Sequence, residues 1–176
     1  MNEPSTPLPP DPPYDAGERE MLLNFIEFYR AIMLRKAEGL TRDELARTVE
    51  PSTMSLIGMI KHLAYVEHEW FTHRLEGRPM DAPWANVDWD SDNDWDWNSA
   101  AADTWEDVAT LYLREVDHSR DIMGRHNDLE APLAVTTKDG RPISLRWMLV
   151  HLVEEYARHA GHADLLREAI DGSVGD

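Results

Sequence analysis

The sequence predicts an all-α fold, an antiparallel four-helix bundle with long inter-helix loops. Four stretches place apolar residues three and four apart over several turns each, which is the signature of amphipathic helices. Strand signal is sparse, confined to a β-prone run at Ala134, Val135, Thr136 and Thr137. The segments between the helices are long enough to make neighbours of the second and fourth helices.

Residues 1–17 contain six prolines (Pro4, Pro7, Pro9, Pro10, Pro12, Pro13) and few large apolar groups, so they read as an extended or disordered leader to a domain over residues 18–172. After Gly17, Met21, Leu22, Phe25, Ile26, Phe28, Tyr29, Ile32 and Met33 recur at helical spacing and predict a helix ending near Gly39. Residues 40–50 predict a short helix with Thr41 as cap and Glu44 at the capping-box position, stopped by Pro51. Ser52, Thr53 or Ser55 caps the second long helix, which carries Leu56, Met59, Ile60, Leu63, Val66, Trp70 and Phe71 and closes at Gly77 and Pro79.

Residues 78–98 form an acidic stretch with four of the seven tryptophans, expected as a long loop that packs onto the domain. Its alternating aspartates do not make an EF-hand, because from Asp88 the sixth and twelfth positions are Asn93 and Ser99. A third helix is predicted over residues 104–126, and its His118 and His126 read as surface or packing residues. A hairpin or extended loop follows over residues 127–142, with Asp139-Gly140 as its turn. Ser144 then caps the last helix.

With 176 residues the chain has the size of one ordinary domain. The sequence contains no cysteine, so there is no disulfide framework and no thiolate ligand, and any metal must use His, Asp or Glu. A net charge of −17 argues against a nucleic-acid surface, which needs clustered Lys and Arg. No basic segment followed by an apolar run opens the sequence, and no stretch is long enough to span a membrane, so a cytoplasmic location is expected.

The chemistry concentrates in the last helix. Leu145, Met148, Leu152, Tyr156, Ala163 and Leu166 share one face, and Glu155 and His159 fall inside that apolar stripe. A glutamate on such a face is costly unless it is paired or holds an ion, and a histidine one turn away is its simplest partner. His62, on the shoulder of the buried face of the second helix, supplies a third donor, although position alone does not choose it over His73. Three donors would form a two-His, one-carboxylate site with coordination positions open for water or substrate. The competing reading makes Glu155 a salt-bridge partner of Arg158 or of an arginine on another helix, His159 a hydrogen-bonded core residue and His62 a solvated one. His151 and His162 flank the stripe and could replace a ligand or orient one.

Two segments, LIGMIKHLAYVEHEWF (56–71) and SLRWMLVHLVEEYARHAGHADLLRE (144–168), resemble the motif helices of the DinB-like metalloprotein superfamily, and more narrowly its actinobacterial mini-circle protein branch. The resemblance runs from about residue 18 to residue 170. It implies a four-helix bundle, often a homodimer, with a divalent metal on three side chains. Many DinB-like proteins use three histidines; Glu155 here makes the chain more similar to the mycothiol-dependent maleylpyruvate isomerase, whose zinc is held by two His and one Glu. On that correspondence the ligands are His62, Glu155 and His159, with zinc first and nickel, iron or manganese as the other candidates.

The implied activity is a metal-dependent transferase or isomerase that acts on a small molecule with a low-molecular-weight thiol, mycothiol or bacillithiol, as cosubstrate. Trp84, Trp89 and Arg158, with Arg141 and Arg146, are the candidate substrate contacts, and the tryptophan loop is a candidate lid. The alternative is a non-catalytic bundle with a structural or sequestering, stress-related metal. A fourth protein ligand, His151 or His162, would favour that alternative.

Overall fold

Helix α1 is Glu18–Ala37. Glu18 and Glu20 occupy its first turn and Arg35 and Lys36 its last, signs that complement the helix dipole. In this computed structural model, which describes residues 8–174, the chain leaves α1 through Gly39 at φ +76°. The expected leader lies partly outside the described residues, and residues 8–17 precede the first helix without regular structure.

The helix expected over residues 40–50 is one turn, α2 (Arg42–Leu45), with the capping box formed: Thr41 Oγ1 accepts from the Glu44 N–H and Glu44 Oε2 accepts from the Thr41 N–H. Pro51 restricts the residue before it and removes a donor, so helix does not propagate towards it.

Ser55 is the cap of α3 (Leu56–Glu67), its Oγ accepting from the Gly58 N–H at 3.2 Å. The expected α-helix to Gly77 changes character after Glu67, since His68–Leu75 is π-helical and closes with an i→i+5 bond from the Glu76 N–H to the Phe71 carbonyl. An α-helical wheel therefore does not extrapolate past Glu67. Within the expected loop at 78–98 the structure forms a 3₁₀ turn, Trp84–Asn86, and then α4 (Trp95–Ala100), which runs past the expected end of that loop.

Helix α5 (Trp105–Met123) is capped by Thr104 and α6 (Leu145–Asp171) by Ser144. Between them the expected hairpin reduces to one isolated bridge, Pro132 with Ser144, and a turn closed by the Gly140 N–H on the Thr137 carbonyl. A proline offers no N–H to a ladder, which limits pairing there.

The architecture of the described residues is thus all-helical, with no named strand. Helix α1 packs on α6, α3 on α5 and α4 on α3, while α3 also touches α1 and α6. One polar cluster crosses the core. Glu67 of α3, fully buried, accepts two bonds from Arg30 of α1 (2.8 and 2.6 Å) and one from the Tyr156 hydroxyl of α6, which lies 3.1 Å from the Tyr112 hydroxyl of α5. Every long helix contributes a residue, and removing one partner of the ion pair would leave a buried charge at a cost of about 3 to 5 kcal/mol. No described helix is long and apolar enough to cross a membrane.

Candidate metal centre

Glu155 and His159 project side by side from α6 because they stand four residues apart. Their Oε2 and Nε2 atoms are 3.4 Å apart. From α3, His62 brings its ring centroid to 5.0 Å from that of His159 at 72°. One donor atom from each of the three residues lies within 4.8 Å of the other two. His159 is buried, while His62 and Glu155 are partly exposed.

The hydrogen bond from His159 is the main reason that the Glu155 carboxyl sits below its ordinary 4.5; burial opposes the shift, and the charges of His151, His159 and His62 assist it. Glu155 is therefore an anion at neutral pH. His159 Nδ1 and His162 Nδ1 are buried with no hydrogen-bond partner among the described residues.

A short helix holds the third donor in place. Asp96 of α4, 3% exposed, puts Oδ2 2.6 Å from His62 Nδ1. The contact places Nδ1 towards the carboxylate and leaves Nε2 as the nitrogen available to a metal. Trp97, the next residue, stacks on His62 at 4.7 Å and 26° and stands 5.5 Å from the His159 ring. Helix α4 comes this close to α3 because Gly58 has no side chain: a Cβ there would meet Trp97 Cε3 at 3.2 Å and Ser55 Oγ at 3.0 Å. Buried Lys61 secures the contact by donating to Ser99 Oγ at 2.7 Å and lying 4.4 Å over the Trp95 ring.

Residues expected near the substrate are spread more widely. Trp84 is buried edge-on to Tyr65 (5.4 Å) and Trp95 (6.2 Å), and Trp89 packs on Tyr65 at 4.7 Å. Trp97 is the indole of that stretch against the imidazoles. Arg158 pairs with Glu154, Arg146 with Glu18 and Glu130, and Arg141 with Asp139. His151 offers Nε2 to Glu155 Oε1 at 3.6 Å and, together with Glu154 and Glu155, forms a second donor group among the described residues. Burial holds His151 below its ordinary 6.5 against the opposing charge of Glu155, so its ring is neutral at pH 7. The His162 ring is 5.8 Å from that of His159.

The family model described as mycothiol-S-transferase matches residues 21–172. The chain belongs to the mycothiol S-transferase family. This family is DinB-like, in agreement with the resemblance carried by residues 56–71 and 144–168, and DinB-like proteins typically bind a divalent metal. No curated protein matches the sequence.

The donor set suits that chemistry. Two imidazoles and an ionised carboxylate are ligands that zinc and its first-row neighbours accept, and the carboxylate on His62 Nδ1 is the usual support for a metal-ligating imidazole. Asp96 and Trp97 escape sequence reasoning because Asp88, Asp90, Asp92, Asp94 and Asp96 alternate through one stretch and look equivalent.

Proposed function

We propose that this mycothiol S-transferase family member is a metal-dependent transferase that holds a divalent ion, zinc first, on His62, Glu155 and His159 and uses a mycothiol-type thiol as cosubstrate. The long helices α1, α3, α5 and α6 are read as an antiparallel four-helix bundle over residues 18–172, forming a cytoplasmic homodimer. The observation that carries the reading is the count of donors around His62. Among the described residues the group contains three side chains, and neither His151 nor His162 joins it. Three protein ligands leave a coordination position for a reactant, as catalytic sites do, whereas a structural site is closed by a fourth.

The chemistry supplied by such an ion is a lowered pKa for the thiol that reaches it, which makes a nucleophile at neutral pH. The chain's own residues do the rest. Glu155 contributes negative charge, Asp96 holds His62 by Nδ1 and leaves Nε2 available, and Trp97 covers one face of the His62 ring and limits water there. The thiol must come from the cosubstrate, since the protein has none.

Elemental analysis tests the reading on protein purified without a nickel column. The expected result is about one divalent ion per chain, lost in His159→Ala. Wild-type protein without metal after incubation with zinc, nickel, iron or manganese would overturn it.

A further inference from the structure

A second feature lies about two helical turns from the candidate centre along α6. Between the 130–144 connection and the start of α6 runs a groove of about 650 Å³, lined among others by Glu130, Thr137, Arg141, Ser144 and Trp147. Trp147 is 52% exposed, a large fraction for the largest apolar side chain. Its ring is nevertheless fixed in place, stacked on His151 at 5.0 Å and 21° and lying 5.6 Å from Trp70, which in turn meets His151 at 4.7 Å.

His151 links this platform to the centre through its 3.6 Å approach to Glu155. Trp147, His151, Glu155 and His159 follow one another at intervals of four and form a track along one face of α6. From Trp147 to Glu155 the track covers eight residues, about 12 Å of helix axis.

We propose that this groove is the subsite for the polyhydroxylated half of the thiol cosubstrate, with Trp147 as the surface on which a sugar ring lies. The inference rests on the thiol reading above and adds where the rest of that molecule sits. An indole presents a flat apolar face to the C–H face of a pyranose. Around it stand a carboxylate, a guanidinium and two hydroxyls, groups that donate to and accept from sugar hydroxyls. Each keeps a protein partner, Glu130 with Arg146, Arg141 with Asp139, Thr137 with Asp139 and Ser144 with the Trp147 N–H, and their remaining donor and acceptor positions are what a sugar hydroxyl meets. A thiol joined to a sugar through a short acyl arm matches both ends of the track, with its sulfur at Glu155 and His159 and its ring on Trp147.

The test compares two thiols on the zinc-loaded full chain by calorimetry. Mycothiol carries the glucosaminyl-inositol unit, and N-acetylcysteine has the same thiol without it. Wild type is expected to bind mycothiol at least about tenfold more tightly. Trp147→Ala should remove about that factor and Trp147→Phe should keep most of it, with N-acetylcysteine binding unchanged in both. Equal affinity of wild type for the two thiols, or an undiminished preference in Trp147→Ala, would sink the subsite while leaving the thiol reading intact. Failure of both thiols to bind would sink the thiol reading and the subsite with it. Glucosaminyl-inositol alone, followed by saturation-transfer NMR on metal-free protein, reads the groove without thiol or metal. Its signal should be present in wild type and lost in Trp147→Ala.

Discussion

The 2.6 Å contact between His62 Nδ1 and Asp96 Oδ2 decides which imidazole nitrogen is left to face Glu155 and His159. Loss of such a support typically weakens metal binding about 10- to 100-fold, because the ring can rotate and change tautomer. Asp96→Ala should therefore lower zinc affinity by about that factor in competition with a chromogenic chelator, with Asp96→Asn falling between it and wild type. Wild-type affinity in Asp96→Ala would show that the contact orients nothing. The pair on α6 is legible in the sequence, because two polar residues one turn apart inside an apolar stripe need a reason. His62 is less so: on an α-helical wheel it competes with His73, and the family resemblance makes the choice. In the structure His73 Nδ1 instead faces the Arg78 carbonyl at 2.9 Å. Asp96 is not legible at all, since nothing local separates it from its four alternating neighbours.

Where α3 becomes π-helical, its first residue, His68, is 1% exposed and bonds two other elements. Nδ1 stands 2.9 Å from Glu115 Oε2 of α5, and Nε2 accepts from the Asp81 N–H at 3.1 Å, anchoring the start of the tryptophan-rich stretch. Burial pushes the Glu115 carboxyl up, but bonds from His68 and Arg114 outweigh it and hold the group below its ordinary 4.5. Between those two values the unfolded chain binds the proton more readily, so stability falls as pH falls. The contribution is fully present above 4.5 and is lost as pH drops through the folded value. Glu115→Gln should cost about 1 to 3 kcal/mol at neutral pH in urea unfolding, and the gap to wild type should narrow as pH falls below 4.5. A gap that stays constant into acid would contradict this account. The capped start at Ser144 is readable from residue type alone, because a side-chain oxygen there satisfies a free N–H, whereas residue type only narrows the cap of α3 to Ser52, Thr53 or Ser55. The π-helical segment is not, because its apolar spacing satisfies an α-helical wheel equally well until the backbone bonds are known.

Across the whole molecule, two polar clusters tie the helices together by different means. The Arg30, Glu67, Tyr156 and Tyr112 cluster is complete within the protein: its ion pair is buried and each hydroxyl has a partner. The His62, Glu155 and His159 cluster joins α3 to α6, and through Asp96 to α4, by three donors that converge on one point. An ion that binds there binds only the folded chain, where the three donors meet, and so stabilises it by mass action. At free zinc about 100-fold above its dissociation constant the gain is about 2.7 kcal/mol. For a chain of this size that raises Tm by about 5 to 10 °C. His159→Ala should abolish the zinc-dependent rise. Arg30→Met should lower Tm with and without zinc and leave the rise in place, because the two clusters share no side chain. A rise that survives in His159→Ala would put the ion on another donor group, His151, Glu154 and Glu155 being the nearest, and would overturn the ligand assignment.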